Sequence, residues 1–193
     1  MSDEPTDFDL VVAARGGDRV SFAALLKRHC PRLLALARQI VGPDAAEDVM
    51  QEAALDAYRG LDGFAGKSAV GTWLYRITLN RCVSERRKRR PQPVESEPLD
   101  LLRRWEDPDY TVDPAVVAGR RADATLLHAV LDTLPETYRV ALILHDAQGL
   151  SASELAEAMD IPLGTAKSHI RRGRMALVSR LAEDDLGLLE GVR

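Results

Sequence analysis

The sequence is poor in cysteine, histidine and aromatic residues. Its 193 residues include 2 cysteines and 4 histidines, and only 5% are aromatic. Cys30 and Cys82 are too few for a disulfide scaffold and form no CxxC pair, which argues against a structural zinc site. His145 stands beside Asp146, but neighbouring residues on a helix point in different directions. We therefore expect no metal and no cofactor.

Long apolar runs are also missing. None approaches the roughly 20 residues that are needed to cross a bilayer. The first residues are acidic where a signal peptide is basic. The sequence therefore predicts a cytoplasmic protein that does not insert into a membrane.

The formal net charge of -4 hides a strong segregation of charge. Residues 86–90 read Arg-Arg-Lys-Arg-Arg, and residues 167–180 carry several basic side chains without one acid. The charged residues at 95–113 are mainly acidic. Two basic blocks on an acidic chain predict two separate contacts with a polyanion.

Apolar residues recur at helical spacing in two segments, and no strand-like alternation stands out. The pattern predicts an all-α protein with two small helical domains at 7–90 and 120–182. A flexible, acidic and proline-rich linker is predicted to join them at 91–119.

Capping residues predict where several helices begin. In the first domain, Asp44 followed by Glu47 predicts a capping box, and Ser68 is predicted to cap the helix that reaches the basic run. In the second domain, Ser151 and Glu154 predict another capping box.

The second domain reads as a helix-turn-helix. The short helix after Ser151 is followed by a turn at 160–164, and Thr165 is predicted to begin the next helix. Its outward face is basic and polar, which suits a helix in a major groove, with early residues at base edges and later arginines at phosphates. The alternative is an ordinary helical hairpin with a solvated basic face.

The helix after Asp44 carries a concentrated acidic face. Its polar residues are three or four positions apart and therefore lie on one side of the helix. Because DNA would be repelled there, the face predicts a basic protein partner. The residues are Glu47, Asp48, Gln51 and Glu52.

The glycine-rich loop at 61–68 and the following helix carry candidate nucleic-acid contacts. Phe64 is able to stack on an unpaired base and Lys67 to meet its phosphate, although Phe64 and Trp73 are alternatively core anchors. A row of polar residues on the helix, Thr72, Arg76 and Asn80, continues toward Arg87 and suits base edges and phosphates.

Together these motifs resemble the extracytoplasmic-function (group IV) sigma factors of bacterial RNA polymerase. The resemblance rests on the ordered series Ala46-Glu-Asp-Val-Met-Gln-Glu52, Phe64-x-Gly-x-Ser68, Thr72-Trp-Leu-Tyr-Arg-Ile-x-x-Asn80, Leu134-Pro-Glu-x-x-Arg139 and Ile161-Pro-x-Gly-Thr-x-Lys-Ser168. It implies sigma region 2 at 7–90 and sigma region 4 at 120–182. It further implies a non-catalytic subunit that directs promoter-specific initiation.

The resemblance also implies the partners and the site residues. The partners are core polymerase, through its β′ clamp helices and β flap, promoter DNA, and an anti-sigma factor. The acidic face, Glu47, Asp48, Gln51 and Glu52, would bind polymerase. The −10 element would be met by Phe64, Lys67, Ser68, Thr72, Arg76, Asn80, Arg86 and Arg87. The −35 element would be met by Thr165, Lys167, Ser168, Arg171, Arg172 and Arg174.

Two alternatives remain at this point. A freestanding helix-turn-helix regulator would bind duplex DNA tightly without polymerase and with half-site symmetry. Cys30 and Cys82 would act as a redox pair, or would simply be buried thiols. An enzyme is not expected, since no nucleophile, base and metal constellation is present.

Overall fold

The computed structural model describes residues 4–89 and 124–190, and the proposed linker at 91–119 lies outside them. The described residues fold as α-helices without a strand, as predicted. The N-terminal module contains α1 (Asp7–Arg15), α2 (Arg19–Val41), α3 (Pro43–Gly60), a 3-10 turn (Leu61–Gly63) and α4 (Val70–Arg89). The C-terminal module contains α5 (Ala124–Thr133), α6 (Glu136–Leu142), which runs on into a π turn (Ile143–Ala147), α7 (Ala152–Met159) and α8 (Leu163–Glu190).

Three predicted helix starts differ from the structure by one or two residues. Gly42, at φ 84°, precedes Pro43 at the first helical position of α3, and no side chain caps that helix. The predicted Asp44 capping box is therefore wrong. Proline suits the first helical position because its φ is already helical and because the backbone N–H that it lacks would have no partner within the helix there. Ser68 precedes Ala69, whose carbonyl accepts the first bond of α4.

The helix α8 also begins before its predicted start. The Pro162 carbonyl accepts a bond from Ala166 (3.0 Å), so that Thr165 is the third residue of the helix. The reason is the same, since Pro162 has a fixed φ that leads directly into a helical turn. Thr165 consequently lies on the helix surface, partly buried, rather than at its cap.

Each module is built around one central helix. In the N-terminal module α2 packs against α1, α3 and α4, and buries Leu25 and Leu36 completely. In the C-terminal module α8 packs against α6 and α7. Gly173 permits this approach, because a Cβ there would lie 3.1 Å from Leu142 Cγ and 3.2 Å from the Tyr138 carbonyl.

The two modules pack directly against each other, and one apolar core extends through both. The contact joins α4 to α7, and α2 to the π turn. Gln148 is the polar centre of this contact: its Nε2 donates to Gln39 Oε1 (3.0 Å), and its Oε1 accepts from the Tyr75 hydroxyl (3.4 Å). The Gln148 carbonyl accepts from Arg32 (3.3 Å). Burial raises the pKa of Tyr75, so that its hydroxyl remains a donor.

A second polar contact between the modules is centred on Asp132. Its Oδ1 accepts from Arg139 Nη1 (2.6 Å) within the C-terminal module and from Arg86 Nη1 (3.0 Å) of α4. Arg139 is only 1% exposed. A buried guanidinium without a carboxylate is costly, so Asp132 is the residue that makes Arg139 tolerable in this core.

Candidate nucleic-acid interface

The helix-turn-helix is present and is positioned by local contacts. Ser151 Oγ accepts from the Glu154 amide (3.3 Å) and Glu154 Oε2 accepts from the Ser151 amide (2.8 Å), which confirms the predicted capping box. The hydrogen bonds from Ser151 lower the pKa of Glu154. Asp160 turns the chain in the left-handed conformation (φ 54°), which aspartate tolerates well. These features set α8 across α7.

One face of α8 is free to meet a ligand. Ala166 and Ile170 point into the core, as predicted, whereas Lys167, Ser168, Arg171 and Arg172 are exposed. Arg174 differs from these, because its guanidinium donates to Asp146 of the π turn through Nε (3.1 Å) and Nη2. The structure therefore holds Arg174 against its own module.

The acidic face of α3 is exposed as a group. Glu47 and Asp48 have no ion pair among the described residues, and Gln51 is exposed beside them, whereas Glu52 accepts from Arg81 Nη1 (3.1 Å). Arg81 also donates to Asp56, and this hydrogen bond lowers the pKa of Asp56.

Two apolar side chains extend the acidic face along α3, and sequence reasoning missed them. Leu55 is 56% exposed and Tyr58 is 40% exposed. Their spacing from Gln51 on one helix face was the signal that could have found them. The surface is therefore both acidic and apolar, which suits a protein partner better than DNA.

The loop at 61–68 forms one wall of a cavity of about 390 Å³. Phe64 is 6% exposed and its ring lies 5.0 Å from the Trp73 ring, so burial favours the core alternative for both. Lys67, Ser68 and Thr72 also line the cavity, and of these Thr72 is buried.

Arg15 positions this loop, although sequence reasoning did not single it out. Its Nε donates to the Leu61 carbonyl (2.7 Å) and its Nη2 donates to the Phe64 carbonyl. Two loop carbonyls are thus tied to the end of α1. A single arginine before Gly16 gives no sequence signal for so distant a contact.

The polar row on α4 is only partly open. Arg76 and Asn80 are exposed, as predicted for residues that meet a ligand. Arg86 is mostly buried and bonded to Asp132, and Arg87 Nε lies 3.9 Å from Glu136 Oε2. The structure therefore brings acids of the C-terminal module onto residues predicted to hold DNA.

Neither cysteine has a partner that would support a redox pair. Cys82 is fully buried in α4, and burial raises its pKa to about 12. Cys30 is half-buried, and both thiols are free. In the part of the chain that the structure describes, no group of side chains could hold a metal. His145 Nδ1 instead lies 2.6 Å from the Leu150 carbonyl.

Comparisons with known proteins agree with this architecture. Residues 25–92 match the family Sigma-70 region 2, and residues 124–177 match Sigma-70, region 4. The ECF RNA polymerase sigma-E factor of Escherichia coli (strain K12) is 32% identical over 185 residues, which cover 94% of this chain and 97% of the relative. That of Haemophilus influenzae is 32% identical over 186 residues, which cover 94% and 98%.

Solved structures share the fold. CnrH in complex with the cytosolic domain of CnrY matches with a TM-score of 0.67 at 23% identity, over 92% of this chain and 98% of that chain. The sigma factor RpoE in complex with the anti-sigma factor NepR from Bartonella quintana matches with a TM-score of 0.61 at 26% identity, over 83% and 96%. No helix in the described ranges is long and apolar enough to span a bilayer.

Proposed function

Because the chain belongs to the extracytoplasmic-function sigma factors of the sigma-70 family, we propose that it binds core RNA polymerase and directs promoter-specific initiation. The observation that carries the proposal is the presence of two separate ligand surfaces. One is the acidic and apolar face of α3, and the other is the basic face of α8. A function that used only one of these two surfaces would leave the other without a role.

The N-terminal module, 7–90, is proposed to act as region 2. Glu47, Asp48, Gln51 and Glu52 would bind basic side chains of the β′ clamp helices, with Leu55 and Tyr58 supplying apolar contact. The loop cavity would receive an unpaired base of the −10 element, and Lys67, Arg76 and Asn80 would meet the adjoining backbone. Unstacking a base costs a few kcal/mol, and stacking in a protein site returns roughly 1–3 kcal/mol per base.

The C-terminal module, 120–182, is proposed to act as region 4. Lys167, Ser168, Arg171 and Arg172 would enter the major groove of the −35 element or grip its phosphates. Thr165, partly buried, would contact the groove only at its edge. The β flap would hold this module at a fixed distance from region 2.

The proposed −10 and −35 contacts would each bind DNA only weakly. Core polymerase would fix their separation, and the second contact then forms at a high effective concentration. The segment at 91–119 would be the tether between them. The protein is thus proposed to be a non-catalytic subunit that works in the cytoplasm and, like the RpoE relative, is held by an anti-sigma factor.

Transcription with purified core polymerase on fragmented genomic DNA of the native host tests this proposal. We expect discrete start sites that share two upstream elements and that are absent with core polymerase alone. The Asp48→Arg variant should lose most core binding in a pull-down, while Glu4→Arg, a matched charge reversal on an exposed residue, should retain it. Tight, symmetric duplex binding without any start sites would instead support a freestanding regulator.

A further inference from the structure

A second cavity, of about 360 Å³, lies where the end of α2, the start of α3, the end of α4 and α5 meet. It shares no lining residue with the loop cavity. Ile40, Val41 and Pro43 give it an apolar wall. Its volume lies within the range of small-molecule sites, which is roughly 300–1,000 Å³. The basic residues that line it are Arg38, Arg86, Arg89 and His128.

The acidic residues nearby do not neutralise this cavity. Asp132 is the one carboxylate among its described lining residues, and it is shared by Arg86 and the buried Arg139. Glu85, which pairs with Arg89, is likewise shared with a second cation of α4. Because each acid serves two cations, the walls keep an excess of positive charge that attracts anions.

Arg38 adds a positive charge that nothing nearby balances. It is exposed in the last turn of α2 and has no ion pair in the described ranges. The helix α3 begins at the same cavity with Gly42 and Pro43, and no side chain caps it. The positive end of its dipole therefore adds to the charge of the arginines. Guanidinium groups from two helices thus offer charge-assisted hydrogen bonds to one anion.

We propose that this cavity binds a small organic phosphate of about the size of a nucleotide. The phosphates would lie at the arginines, and an apolar ring or base would lie against Ile40 and Val41. The inference goes beyond the proposed function, because the site requires neither polymerase nor promoter DNA. Arg86 is the one described lining residue that is also proposed for the −10 element.

The shape of the cavity favours a small molecule over a nucleic-acid strand. A strand follows a basic groove over several nucleotides, about 4–16 for one small domain. Here the cations instead surround a single cavity beside an apolar wall. Its lining residues come from both modules, so a bound molecule would contact both and would stabilise the folded chain.

Calorimetric titration of the full chain with ADP, pyrophosphate and adenosine, in EDTA, tests the inference. We expect one ADP per chain and an affinity that falls as salt is added. Pyrophosphate lacks the ring and adenosine lacks the phosphates, so each should bind at least about tenfold more weakly. At a concentration of about 100 times its Kd, ADP should raise the melting temperature by about 5–11 °C.

A pair of matched double variants assigns the binding to this cavity. Arg38→Gln/Arg89→Gln should weaken ADP binding roughly tenfold or more, since two charge-assisted contacts are lost. Arg19→Gln/Arg59→Gln removes the same charge elsewhere and should retain the wild-type affinity. Arg19 is exposed at the other end of α2, roughly 30 Å from Arg38 along the helix. Arg59, like Arg89, pairs with an acid of its own helix. Thermal melting without ligand checks that both variants are folded.

Equal losses for the two double variants, or no saturable ADP binding by the folded wild-type chain, would overturn the inference. Pyrophosphate that binds as tightly as ADP would also overturn it, since the apolar wall would then take no part. A random single strand that depends on Arg38 and Arg89, while ADP does not bind, would assign the cavity to nucleic acid instead. The titrations contain no polymerase, so a chain that directs initiation but binds no ADP retains the proposed function and loses only this site.

Discussion

We expect Asp132→Asn to destabilise the protein more than Arg139→Met, which replaces the buried arginine that pairs with Asp132. The substitution of Asp132 keeps the shape of the side chain and removes its charge. Arg139, 1% exposed, would then keep a buried positive charge that no carboxylate balances. Its Nε and Nη2 already have no hydrogen-bond partner among the described residues, so Nη1 depends on Asp132 alone.

The magnitude follows from the unequal burial of the two partners. Breaking a fully buried ion pair costs about 3–5 kcal/mol. The Asp132 side chain is 44% exposed, and water therefore screens part of the interaction. We expect Asp132→Asn to lower the free energy of unfolding by about 2–3 kcal/mol. Arg139→Met removes the buried charge itself and leaves Asp132 hydrated and paired with Arg86, so it should cost roughly 1 kcal/mol.

Denaturant unfolding measures the free energy of unfolding of both variants, and thermal melting measures their melting temperatures. For a chain of this size each kcal/mol corresponds to roughly 2–4 °C in melting temperature, so Asp132→Asn should melt about 4–12 °C lower. Arg86→Met, whose side chain also bonds to Asp132, is the control for the contact between the modules. A larger loss for Arg139→Met than for Asp132→Asn would refute the reasoning, since burial of the charge would then not be the dominant cost.

Three other perturbations follow from particular contacts. Gly173→Ala places a methyl group 3.1 Å from an α6 side chain and should cost about 1–3 kcal/mol by denaturant unfolding, despite alanine's better helix propensity. Arg15→Met removes two bonds to loop carbonyls; strand opening by permanganate footprinting should fall several-fold while duplex binding by region 4 is unchanged. Cys82, with its pKa raised to about 12, should resist a thiol reagent at pH 8 in the folded protein, whereas Cys30 should react and both should react after unfolding. Because the raised pKa favours the neutral thiol, the stability that Cys82 contributes is present below its unfolded pKa of about 9 and is lost as the pH rises toward 12.

Features fixed by neighbouring residues could be predicted from the sequence. The Ser151 and Glu154 capping box needs only four consecutive positions, and the structure contains both of its bonds. The inward stripe of Ala166 and Ile170 follows from helical spacing alone. The Asp44 prediction was wrong because a second local rule, proline at the first helical position, overrides the capping motif.

Features that depend on distant residues could not be predicted in this way. The role of Gln148 comes from partners more than seventy positions away, at Gln39 and Tyr75. Helical spacing places Arg174 on the basic face, but the structure pairs it with Asp146 of the π turn. The sequence allows Phe64 to be either a base-stacking residue or a core anchor, and its burial and its contact with Trp73 in the structure favour the core.

The basic run on α4 lies against acidic residues of the C-terminal module. A protein with open basic blocks would bind any nucleic acid through counterion release, whatever its sequence. In the structure Arg86 and Arg87 face Asp132 and Glu136 of the C-terminal module, so the basic run on α4 is partly neutralised by the same chain. Nonspecific attraction of nucleic acid to that run is thereby reduced, whereas Lys167, Arg171 and Arg172 of α8 remain exposed.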